Sequence, residues 1–185
     1  MDCCHGHALI MCQFYVYQSF TTIKKERCSE MGAWGYKALE SDEGLDVVAL
    51  LQEFMEQQKE SNQLTLSGIV QAMKQQGFFG KTFEDIDFFY DISALALAEL
   101  YSHYLHTGTI YGQESKDRQI QWIVDESSLT FILRYLQDIR DEVSDQHGSR
   151  EIVELWQESK SWPEWQSNLA YLIQTVEQAI NRLPQ

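Results

Sequence analysis

Apolar positions recur at helical spacing along most of the chain after residue 40. Leu45, Val48, Leu51 and Met55 form one stripe, widened by Val47, Leu50 and Phe54, which predicts an amphipathic helix running to about Lys59. Ser41 or Asp42 suits its N-cap, and Asp42 and Glu43 place negative charge on the first turn, where the helix dipole favours it. This helix is expected near the centre of a bundle. A shorter helix is predicted from Thr65 to Gln76, with Leu66, Ile69, Val70 and Met73 inward and Gly77 as its stop. Phe78, Phe79 and Gly80 read as a compact apolar turn. Thr82 and Asp85 have the spacing of a capping arrangement, opening a long helix that carries Ile86, Phe89, Tyr90, Leu95, Leu97, Leu100, Tyr104 and Leu105 to a stop at Gly108.

Residues 107–119 are polar and read as an exposed loop. Residues 120–124 alternate too briefly for a strand, so helix is expected to run from there into Leu129–Ile139. Ser149 can cap a short helix carrying Ile152, Leu155 and Trp156. Ser161 and Glu164 have capping-box spacing, with Pro163 tolerated in the first turn. The last helix has the cleanest pattern: Trp165, Leu169, Leu172, Ile173, Val176, Ile180 and Leu183. The expected fold is all-α, a single bundle-like domain of about six helices over residues 31–185.

The stretch from Met31 to Asp46 begins differently. Gly32 and Gly35 flank Trp34 and forbid a regular helix at acceptable entropic cost, so a tight loop that tucks Trp34 into the core is expected. Before it, residues 1–30 hold all four cysteines, Cys3, Cys4, Cys12 and Cys28. Cys3-Cys4-His5-Gly6-His7 contains zinc-type ligands, but adjacent cysteines do not share a tetrahedral ion easily and no C-x-x-C pair completes a set. The apolar run 8–20 has neither the flanks of a signal peptide nor the length of a membrane span. Lys25-Glu26-Arg27 can be encoded by a purine-rich run like a ribosome-binding sequence, a short distance before Met31. Residues 1–30 are therefore expected to be a translated upstream extension, with Met31 the start of the domain.

The 185-residue chain carries 14 basic and 28 acidic side chains, a formal charge of −14. Residues 1–30 are neutral, with Lys24, Lys25 and Arg27 against Asp2, Glu26 and Glu30, so the whole excess lies beyond them. Such a surface repels phosphate backbones and anionic lipid, which argues against nucleic-acid and membrane partners and leaves a basic protein as the expected partner class. An absence of cysteine after Cys28 suits a reducing cytoplasm.

Three groups of side chains carry candidate chemistry. Glu99, His103 and His106 fall at i, i+4 and i+7 on one helix face, the convergence a zinc or iron site needs, although a C-terminal His also suits a helix end on its own. Glu84, Asp87 and Asp91 form a carboxylate row that could hold Mg²⁺ or act as acid and base, or simply be a solvated face. Glu40, Asp42, Glu43 and Asp46, beside Trp34, suit helix capping first and are, on an irregular loop, also the candidate partner contacts together with Trp34. No nucleophile motif, phosphate loop or dinucleotide fingerprint is present, so no cofactor and no catalytic residue is expected.

The opening Met31-Gly-Ala-Trp34-Gly35, then Leu39-Glu40 with Asp42, Gly44-Leu45-Asp46, and the late Ile152-Val-Glu-Leu-Trp156 with Trp165, resemble the bacterial domain-of-unknown-function family 4259. Tyr36-Lys37-Ala38 departs from that family's usual continuation. The resemblance covers Met31 to the end and implies a small, mostly helical cytosolic protein that starts at Met31; it brings no activity. Two function classes follow: a protein-binding module, of which an immunity-type inhibitor of a basic toxin is one form, and a metal-dependent hydrolase using the Glu99 or Asp91 rows.

Overall fold

The computed structural model describes residues 35–58, 60–112, 119–145 and 148–184. The expectations for residues 1–30, including the Cys3–His7 cluster, and for Trp34 lie outside the described residues. A 3₁₀ turn, Ala38–Glu40, leads into α1 (Asp42–Gln57). Then follow β1 (Gln63–Thr65), α2 (Leu66–Gln75), α3 (Phe88–Thr107), β2 (Gln121–Ile123), α4 (Glu126–Arg140), α5 (Glu151–Gln157) and α6 (Trp162–Asn181). The fold is an all-α bundle with six α-helices among the described residues, and none of those helices is long and apolar enough to cross a membrane.

The centre of the bundle is α3, not α1 as the stripe from Leu45 to Met55 suggested. Every residue from Asp91 to Ser102 is buried: Ala94, Ala96 and Ala98 with Leu95, Leu97 and Leu100 supply apolar surface all round, and the polar Asp91, Ser93, Glu99 and Ser102 among them are buried too. α1, α4, α5, α6 and the 3₁₀ turn all pack on it. α1 keeps a solvent side, on which Leu45 is 39% exposed rather than part of the core stripe. Leu105 and Leu155, also expected inward, are exposed.

Caps explain most boundaries. The Ser41 hydroxyl accepts from the Gly44 amide at 3.0 Å and donates to the Ala38 carbonyl at 2.7 Å, joining α1 to the turn before it. The long helix starts at Phe88 rather than near Thr82: the Asp87 carboxylate caps Phe89 N, while Asp85 reaches back to the amides of Lys81 and Thr82 and closes a turn. In place of continuous helix, 121–123 form a strand parallel to β1, with Leu64 opposite Trp122, and Asp125 then caps α4. The outer edges of this two-stranded sheet are closed by hydroxyls: Ser61 Oγ bonds both the amide and the carbonyl of Gln63, and Tyr104 OH accepts from the Trp122 amide. The segment after Gly108 is not wholly exposed, since Ile110 is buried. Arg150 rather than Ser149 occupies the N-cap position of α5, and Ser161 precedes α6 without a side-chain cap.

Two helices end in the same Schellman geometry. At α2, Phe78 N donates to Met73 O and Gly77 N to Lys74 O; at α4, Val143 N donates to Asp138 O and Glu142 N to Ile139 O. The left-handed position is Gly77 in the first (φ 82°) and Glu142 in the second (φ 52°), the one non-glycine residue with positive φ among those described. A side chain there costs about 1 kcal/mol relative to glycine. Glu142→Gly is therefore expected to raise stability by about 1 kcal/mol, read as a higher denaturant midpoint at unchanged slope.

Candidate functional site

Glu99, in the middle of α3, is buried and faces the 3₁₀ turn and α6. Its Oε1 accepts from Ala38 N at 3.0 Å and from Asn168 Nδ2 at 2.8 Å, and its Oε2 from Leu39 N at 2.9 Å. The two amides are unsatisfied donors at the start of the turn, which a carboxylate matches in charge and geometry. Burial pushes the Glu99 carboxyl above its ordinary range, opposed by the Leu39, Ala38 and Asn168 donors. One side chain thus ties the N-terminal turn to α3 and α6.

Gly44 makes this docking possible. A Cβ there would stand 1.8 Å from the Ala38 carbonyl oxygen and 2.6 Å from its carbon, so α1 and the turn meet backbone to backbone.

His103 and His106 share Glu99's helical face but rise about 6 and 10 Å further along it, beyond the turn that covers Glu99. The His103 ring meets Tyr111 edge-on at 5.4 Å. His106 Nδ1 lies 2.8 Å from the Ser102 carbonyl, which only accepts, so that nitrogen carries a proton. In the neutral ring Nε2 then accepts, at 3.4 Å, from Tyr171 OH, which also lies 2.9 Å from Ser102 Oγ. The three side chains of the predicted metal row are therefore directed to three different sets of partners. No group of three His, Cys, Asp or Glu side chains with metal-binding arrangement occurs among the described residues.

The carboxylate row Glu84, Asp87 and Asp91 is likewise divided, because the helix begins after Asp87. Glu84 is exposed in the preceding segment, Asp87 caps, and Asp91 is buried against Arg150, whose Nε and Nη2 reach its two oxygens at 2.8 and 2.5 Å. Arg150 Nη1 also donates to the Val143 carbonyl at 3.0 Å, so the pair fastens the α4–α5 connection to α3. Burial raises the Asp91 carboxyl to about 6, with the Arg150 hydrogen bond and charge pulling it down. Nothing in the local pattern of Arg150, Asn168 or Tyr171 marked them; their partners are 59 to 69 residues away in sequence.

These two carboxyls set a pH dependence. Each holds its proton more tightly folded than unfolded, so its stabilising contribution is full below the ordinary carboxylate range and is lost as pH rises through the folded value, about 6 for Asp91. The melting temperature is expected to fall between pH 5 and pH 7 on this account, with a shallower fall in Glu99→Gln, as thermal denaturation across that range would show.

The third candidate group faces outward. Glu40 accepts from Lys37 N at 3.2 Å and closes the 3₁₀ turn. Asp42 and Asp46 are exposed and Glu43 is half-buried on the first turns of α1. Glu53 and Glu56, further along α1, are also exposed. At helical pitch Asp42, Asp46, Glu53 and Glu56 fall within about 80° of one another over about 21 Å. α1 contains no Lys or Arg, and none of these carboxylates is in a salt bridge among the described residues.

Neither a curated protein nor a solved structure matches the chain. A family model does: Domain of unknown function (DUF4259) covers residues 32–168, and with the Gly44 contact, the Glu99 anchor and the α1 face all inside that span, the chain belongs to this family.

Proposed function

We propose that the protein works by binding, and that the exposed face of α1 receives a basic protein partner. The observation that carries this reading is the run of exposed carboxylates Asp42, Asp46, Glu53 and Glu56 along one helix side, none of them in a salt bridge among the described residues, in a helix free of Lys and Arg. Such a face accelerates encounter with a positively charged surface and selects against acidic ones. Leu45 and Ala49, exposed within the same face, offer apolar contact between the charges. Inhibition of a basic toxin is one function such a surface serves.

Affinity capture from the native host at two salt concentrations tests the reading. A basic protein retained at about 50 mM salt and released at about 0.5 M is expected, because the Debye length shortens several-fold over that interval. Recovery of no basic protein at low salt would remove the basis for the proposal.

A further inference from the structure

A half-open pocket of about 130 Å³ lies between the end of α4, α5 and the first half of α6. Its walls are Ile139, Val153, Leu169 and the indoles of Trp162 and Trp165; Glu142 and Gln166 stand among the polar residues at its edge. We propose that this cavity binds a small single-ring aromatic molecule carrying one hydrogen-bond donor.

Size and lining define the class. The pocket is half open, and its volume is close to the roughly 150 Å³ that holds one benzene ring in an enclosed cavity, so it admits a single ring with one edge in solvent. The walls offer aliphatic contacts and indole surface. Trp162 and Trp165 lie nearly parallel, 5.2 Å apart at 17°, and Trp156 continues the stack on Trp165 at 6.0 Å and 18°. This mutual stacking holds the indoles in place, so a planar guest would meet a wall already formed and lose little to reordering.

The donor is assigned from the edge. Arg140, also at the cavity, is held by Asp141 through Nε and Nη2 at 2.8 and 2.9 Å, which commits its charge to a neighbour. Among the described residues the Glu142 carboxylate has one long contact, from Gln157 Nε2 at 3.4 Å, and a carboxylate with one such donor keeps acceptor capacity. It also occupies a left-handed position where glycine would be less strained. Strain retained at a pocket residue is accounted for when its side chain is used.

Fluorine NMR of the full chain with 4-fluorophenol, and with fluorobenzene as the donor-free comparison, tests the assignment. Saturable binding at one site per chain is expected, with 4-fluorophenol bound several-fold more tightly. Val153→Phe, which fills the cavity, is expected to weaken both probes at least tenfold. Ala170→Leu, at an exposed helical position on the rim, is expected to do the same if Val153→Phe fails to fold. Glu142→Gly is expected to weaken 4-fluorophenol while leaving fluorobenzene. Absence of saturable binding, or equal binding in a folded filled variant, would overturn the proposal.

Discussion

Arg150→Met is expected to lower stability at pH 7 by roughly 3–5 kcal/mol, the range for removing one partner of a buried ion pair. Asp91 is 1% exposed, and without the guanidinium its charge has no compensation in the low-dielectric centre of the bundle. It would then take up a proton more readily, so the loss should shrink as pH falls toward 5. Asp91→Leu combined with Arg150→Met is expected to recover most of the stability, since two apolar groups replace the pair without leaving a charge behind. The Val143 carbonyl, freed in both variants, belongs to an exposed residue and can bond water. Urea denaturation of the three variants at pH 5 and pH 7 measures all of this. Additive losses from Asp91→Leu and Arg150→Met would show that the two side chains are not coupled.

Gly44→Ala has the second large expected effect. Alanine ordinarily stabilises a helix interior relative to glycine by about 1 kcal/mol. Here the new methyl would occupy the position of the Ala38 carbonyl, which is backbone and cannot rotate away. The turn must retreat from α1, and the bonds from Ala38 N and Leu39 N to Glu99 lengthen or break. A net loss of about 3 kcal/mol follows from overpacking together with lost hydrogen bonds to a charged group, which lowers the melting temperature by roughly 6–12 °C in a domain of this size. A stability gain in Gly44→Ala would mean that the turn does not dock on α1 as described.

Helices with one apolar face were legible in the sequence. α2 and α6 follow their stripes nearly residue for residue, and the Ser41 cap and Gly77 stop act as their chemistry implies. The centrality of α3 was hidden because its burial is all-round, and periodicity reports only one-sided burial. The β1–β2 pair was hidden because each strand has three residues and its register joins Gln63 to Gln121, a distance no local pattern encodes. The same limit applied to the sites. Spacing placed Glu99, His103 and His106 on one face, but only tertiary packing shows that the turn covers Glu99 and not the histidines. The acidic start of α1 was legible as Asp42, Glu43 and Asp46; its continuation through Glu53 and Glu56 became a surface once the opposite side of α1 was seen to be buried.

The buried carboxylates of α3 hydrogen-bond within the fold, whereas the exposed ones of α1 are those proposed to receive a partner. The most direct test compares Asp42→Asn/Asp46→Asn/Glu53→Gln/Glu56→Gln with Glu99→Gln, measuring melting temperature and retention of the captured basic partner on the same samples. The fourfold α1 variant is predicted to keep its melting temperature and lose the partner, while Glu99→Gln melts lower and, where folded, still binds. Undiminished partner binding by the fourfold variant would contradict this division.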